Sequence, residues 1–161
     1  MNTLLFLCVP LVFLFWSGVH EVSHYLVARF FVGAKDVQFR LYPHRDERLG
    51  FVWASVSWTS EGFLSPRQRA LVSLAPRVPD VIGCVAFSLW GLLPLGWWVW
   101  LWLLFWGGAV VDMFVGSLGT NPESDLARAA RAWDVSPWLL RVGGMAVVLV
   151  SLFTLLLRWP S

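Results

Sequence analysis

Apolar residues fill positions 3–19 (TLLFLCVPLVFLFWSGV) almost without interruption, and helical character continues through HEVSHYLVARFFVG to about residue 33. A helix over that stretch is about 45 Å long at about 1.5 Å per residue, enough to cross a hydrocarbon core and project beyond it. Pro10 falls early, where a membrane helix tolerates a kink. The pattern changes over residues 35–60. VQFRLY and FVWASVSW are rich in β-branched and aromatic residues and flank the polar PHRDERLG, which predicts a β-hairpin. An open hairpin cannot face lipid tails, so it is expected at the interface or over a cavity.

Ser65-Pro66 reads as a helix start, and Pro76 and Pro79 interrupt the helical pattern after it. From Val81 to about Leu118 the chain is apolar again, broken by Pro94-Leu95-Gly96. That length suits two helices joined by a tight turn. The first of them is short unless it reaches back past Arg77 and Asp80. The run WWVWLWLLFW comes after the turn, and tryptophan prefers the membrane interface, which places the turn at a membrane surface. Residues 119–137 are polar, with a short helical pattern from near Glu123, and residues 138–158 form a last apolar helix. The pattern predicts an all-α membrane protein of about four transmembrane helices, with a small β-hairpin after the first, in a single domain over residues 1–161.

Composition agrees. Apolar residues make up 58% of the chain and charged residues 14%, whereas a soluble domain is nearer one quarter charged. The net charge is +2, and the basic residues are not interleaved with aromatics in any exposed-looking segment, which argues against a nucleic-acid partner. Lys35, Arg40, Arg45, Arg48, Arg67, Arg69 and Arg77 lie in one loop region, and Arg128 and Arg131 in another. Four spans put both regions on one side, and the positive-inside rule makes that side cytoplasmic, as in a multi-pass protein of an inner or cell membrane. Cys8 and Cys84 sit in apolar runs and read as small buried hydrophobes. The first helix has no basic segment before it and no small-residue cleavage site after it, so a removable signal peptide is not expected. Nothing in the pattern specifies an oligomeric state.

The chemistry concentrates in His20-Glu21-Val22-Ser23-His24, an HExxH sequence on the first helix. Residues at i and i+4 share a helical face, so both imidazoles can bind one zinc ion and the glutamate can act as general base on its water. Zinc brings the pKa of such a water towards neutrality. Zinc suits this ligand type best, although iron or cobalt also binds such sets. Two of the chain's three histidines are in the motif, inside an apolar helix where ionisable groups are costly and usually functional. The alternative use of the three groups is hydrogen bonding between helices. His24 precedes Gly33 by nine residues, about 14 Å of rise, which puts the site inside the membrane towards its cytoplasmic face. A third protein ligand is needed. His44 qualifies by type but sits among charges in the hairpin turn, as a solvated histidine would. Asp80 comes three residues after Arg77 and is expected to pair with it. Asp125 and Asp112 remain as third-ligand candidates; otherwise Asp125 suits the first turn of the helix LARAARAW and Asp112 a polar contact between helices.

HEVSH in the first membrane helix, the basic β-rich segment after it, LVSLAPRVP before the second span and NPESDL after the third together resemble the site-2 protease clan of intramembrane zinc metalloproteases. The resemblance covers most of the chain, and HExxH is its sharp motif. It implies His20 and His24 as zinc ligands, Glu21 as general base, Asp125 as third ligand, and Asn121 as an asparagine that steadies the substrate strand or the site. The chain departs from the clan in having Leu126 after Asp125 where many members have glycine, and in a shorter spacing from Asn121 to the aspartate. The implied activity is cleavage of membrane or membrane-adjacent protein or peptide substrates. A rival reading is a non-catalytic membrane scaffold or regulatory protein with a structural metal, distinguished by the lack of an open coordination position. A transporter or channel subunit is disfavoured because no pair of broken helices is evident.

Overall fold

The computed structural model describes the backbone of residues 2–46, 50–52, 54–59, 64–90 and 98–158, with side chains over a narrower set that begins at Cys8. Helix α1 spans Asn2–Leu26, with Pro10 inside it. It passes into one π-helical turn, Val27–Phe31. Gly33, at φ +71°, ends the helix where the sequence places its end. The positive φ costs glycine little, and it turns the chain out towards the strands.

The expected hairpin is a ribbon in two parts. Strand β1 (Lys35–Arg40) pairs antiparallel with β4 (Ser55–Thr59), and β2 (His44–Asp46) pairs with β3 (Gly50–Val52). The polar segment predicted as turn therefore supplies strand residues at both ends, and its tip lies outside the described residues. A register shift interrupts β1 between Lys35 and Gln38.

Helix α2 (Pro66–Leu74) starts as predicted. Ser65 caps it, its hydroxyl accepting from the Gln68 amide while the Gln68 side chain accepts from the Ser65 amide, and Pro66 holds the first helical position. This reciprocal cap satisfies two amide groups that would otherwise be orphaned. Helix α3 (Arg77–Trp90) begins after a break at Ala75-Pro76, bent by 43° from α2. It does reach back to Arg77. The Pro94-Leu95-Gly96 turn lies outside the described residues. Helix α4 spans Trp98–Leu118, α5 spans Asp125–Trp133 and α6 spans Pro137–Arg158.

Among the described residues α4 and α6 are long and apolar enough to cross a membrane, and the bent α2–α3 pair makes a third if it counts as one span. The fourth expected span runs through α1, the start of which carries no described side chains.

Small residues let these helices approach closely, as apolar packing in lipid requires. Trp16 of α1 is buried against Gly83 of α3 and Gly108 of α4, where an added Cβ would strike its ring. Its indole Nε1 donates to the Phe105 carbonyl at 2.9 Å. One turn further along both helices, His20 meets Asp112. Thus α1 and α4 run parallel. Arg77 against Gly116 and Ser88 against Trp106 make α3 antiparallel to α4, and Ser117 against Gly144 and Trp106 against Ser151 do the same for α6. The ribbon and the 119–136 segment consequently share one end of the bundle. At mid-bundle the Ser88 and Ser151 hydroxyls bond each other at 2.6 Å, and Trp106 Nε1 donates to Ser151 at 2.9 Å. Cys84 is fully buried beside them, and both cysteines are free thiols.

Candidate metal centre

The HExxH face of α1 turns into the bundle, at the end where the ribbon and α5 converge. His20 Nδ1 lies 3.0 Å from Asp112 Oδ2 on α4, and His20 Nε2 lies 3.1 Å from Asp125 Oδ2. His24 Nδ1 is 2.8 Å from the main-chain carbonyl of Val72 on α2, and His24 Nε2 is 3.4 Å from the same Asp125 oxygen. An ionised carboxylate and a carbonyl only accept, so each Nδ1 carries the proton and donates it outwards. Each Nε2 is left facing Asp125. In a neutral imidazole that nitrogen presents a lone pair, which a carboxylate repels, so the arrangement calls for a proton or a cation between them. One ligand atom each from His20, His24 and Asp125 lies within 4.8 Å of the others. Two imidazoles and a carboxylate form a donor set that zinc accepts, with room for a fourth ligand.

The third-ligand candidates separate in space. Asp125, first residue of α5 behind the N-cap Ser124, reaches both Nε2 atoms. The helix N-terminus and the ligand position coincide in one residue. Burial pushes its carboxyl upwards, but the His20 and His24 rings, where a proton on Nε2 bridges to it, outweigh that and hold it well below the usual carboxylate range. Asp112 meets the opposite, Nδ1 side of His20. Asp80 is buried and pairs with Arg77 at 2.8 Å, as its spacing predicts. His44 lies in a strand, β2, and not in a turn; it is half-buried, with Nδ1 2.8 Å from the Tyr42 carbonyl and Nε2 2.8 Å from Ser55 Oγ. Asn121 is exposed and turns its side chain back to accept from the Glu123 amide at 2.8 Å, which shapes the loop leading into α5.

Glu21 lines a cavity of about 240 Å³ together with His20, His24 and Asp125. Val52, Ala54, Ser55 and Val56 of the ribbon form part of its wall, so the ribbon does cover a cavity. Sequence reasoning missed two contributors. The Val72 carbonyl is main chain, and any residue would supply it. Arg77 was legible as the partner of Asp80 but also donates to the Asp112 carbonyl at 3.0 Å, tying α3 to the helix that backs His20. Gly116, whose added Cβ would strike the Arg77 guanidinium, was the available clue.

A family model, DUF3267, described as "Putative zincin peptidase", matches residues 11–120. No curated protein and no solved structure matches the chain. The matched region contains His20, Glu21, His24, Asp80 and Asp112 and stops short of Asp125, whose place beside the histidines rests on geometry alone. Zinc is the metal the family implies, and the two imidazoles and the carboxylate are positioned to bind one. With its HExxH motif inside a match that covers about two thirds of its length, the chain belongs to this zincin peptidase family of zinc metallopeptidases.

Proposed function

We propose that the protein is an intramembrane zinc metalloendopeptidase of the site-2 protease type, cutting membrane or membrane-adjacent protein segments. The observation that carries this reading is the convergence of His20 Nε2, His24 Nε2 and Asp125 Oδ2 beside Glu21, on a helix that leads out of an apolar bundle. In this reading His20, His24 and Asp125 hold the metal, and Asp112 and the Val72 carbonyl fix the two rings by accepting from Nδ1, as outer partners of metal-ligating histidines do. Bound there, zinc supplies Lewis-acid polarisation of the scissile carbonyl and acidifies a water. Glu21 takes the proton from the attacking water and delivers it to the leaving amide nitrogen.

The substrate approaches as an extended strand, for which the ribbon residues along the cavity wall offer main-chain hydrogen bonds. An apolar groove of about 310 Å³ between α1 and α4, running from Val9 to Asp112, gives the adjoining apolar segment a path to the site. The chain crosses the membrane several times, with the ribbon and the α5 segment cytoplasmic, in keeping with their arginines.

The test uses the reconstituted full chain. Glu21→Gln should retain zinc, measured by metal analysis, and lose cleavage of a membrane-segment substrate. Full cleavage by that variant refutes the mechanism. Tightly held zinc with no proteolysis by the unaltered chain on any membrane substrate favours the scaffold reading instead.

A further inference from the structure

A second cavity lies between α2 and α5, on the far side of Val72 from the metal centre. It has a volume of about 310 Å³ and is lined by Arg69, Arg128 and Arg131 with Val72, Ser73 and Ala132. Among the described residues no carboxylate lines it. Glu123 approaches from outside, 3.4 Å from Arg128 and 3.1 Å from Arg131, and Arg69 has no carboxylate partner among the described residues. Three arginines thus line one space, with one carboxylate beside two of them. Packing α2 on α5 brings like charges together, which costs energy unless an anion joins them. Guanidinium forks match phosphate oxygens in pairs, which makes phosphate the natural occupant.

The surroundings specify where that phosphate comes from. α5 ends at Trp133, and the apolar helix α6 begins at Pro137. Trp133, Trp138 and Leu139 are exposed at this junction, and the Arg141 guanidinium lies 5.4 Å from the centre of the Trp138 ring. Exposed tryptophans at the start of an apolar helix mark the headgroup level of a bilayer. Arg131 is two residues before Trp133, so the cavity opens at the same depth. Basic pockets there take anionic headgroups.

We propose that the α2–α5 cavity binds the phosphate of an anionic phospholipid headgroup through Arg69, Arg128 and Arg131. The site is separate from the metal centre, although Arg128 also lines the catalytic cavity. Variants are therefore placed at Arg69 and Arg131.

The full chain in maltoside micelles is titrated with dihexanoyl phosphatidylglycerol, dihexanoyl phosphatidylcholine or inorganic phosphate, monitored by thermal midpoint and by native mass spectrometry. Phosphatidylglycerol should raise the midpoint and stay bound, with phosphatidylcholine much weaker. The double variant Arg69→Gln, Arg131→Gln should bind at least about tenfold more weakly, the loss of two charge-assisted contacts. Arg131 also bonds the Pro122 carbonyl at 2.6 Å, so Arg69→Gln alone provides a variant that leaves the loop intact and should still weaken binding several-fold. If inorganic phosphate alone reproduces the full shift, the phosphate site stands and its source is free phosphate. The proposal is overturned if no anion shifts the unaltered chain, or if both variants respond as it does.

Discussion

The two histidines of the metal centre sit one turn apart on one helix, yet they are held by different kinds of structure. His20 is backed by a side chain, Asp112, on a long apolar helix. That contact results from the seat of Trp16 on Gly108 one turn earlier, so helix packing sets it. His24 is backed by a main-chain carbonyl, Val72, on a short polar helix that packs on α5. On one side the sequence specifies the partner atom. On the other it specifies only where a backbone runs. Deleting a side chain can thus abolish the first support, whereas the second yields only to displacement of α2.

Asp125 belongs to both halves, and its loss should have the largest effect. Asp125→Asn keeps the size of the side chain and removes the charge that both Nε2 atoms face. Zinc should be lost on purification and proteolysis should fall by more than about 100-fold, beyond the range typical of an outer partner. Undiminished zinc in this variant would overturn its role as ligand and return Asp112 to that position.

Asp112→Ala strikes the His20 half alone. It removes the acceptor for Nδ1, freeing the ring to rotate and to change tautomer. Zinc affinity, measured by competition with a chromogenic chelator, should fall by about 10–100-fold. Asp112→Asn retains an acceptor oxygen and should fall less. Equal losses in the two variants would show that charge, not ring orientation, is what Asp112 contributes.

The same division explains which features are legible in the sequence. HExxH at i and i+4 on an apolar helix states its own geometry, and Ser65-Pro66 and Gly33 mark helix ends by local chemistry that no distant contact has to complete. The pairing of Asp80 with Arg77 was legible because both lie on one turn. The choice between Asp112 and Asp125 was not, since each is more than 90 residues from His20 and both are plausible by type. Only the parallel packing of α1 on α4, with α5 folded back beneath, assigns them to opposite nitrogens. The ribbon was legible from its β-branched and aromatic stretches, but its second strand pair was not, because His44-Arg45-Asp46 are polar residues recruited into a strand by pairing with Gly50–Val52. His44 illustrates the cost of reading polarity as a turn. Its two ring nitrogens are both within hydrogen-bonding distance of protein oxygens, and Ser55, one of the partners, lines the cavity beside Glu21.

The His24 half gives the smallest expected effect, and there the contrast is sharpest. Val72 is buried and packs with Ala28 and Ala34, so Val72→Ala removes two methyl groups from a packed contact and should cost about 2 kcal/mol of stability. The carbonyl that accepts from His24 stays in the backbone of α2. Zinc affinity should therefore remain within about threefold of the unaltered chain, in contrast with the order-of-magnitude loss from Asp112→Ala. The comparison requires both measurements on one preparation, a thermal midpoint and a chelator competition. A lower midpoint with zinc affinity preserved means that α2 holds its position without the full Val72 side chain. A loss of zinc as large as that from Asp112→Ala would mean that His24 depends on the particular seat of α2, and that the two halves are equally open to disruption through their side chains.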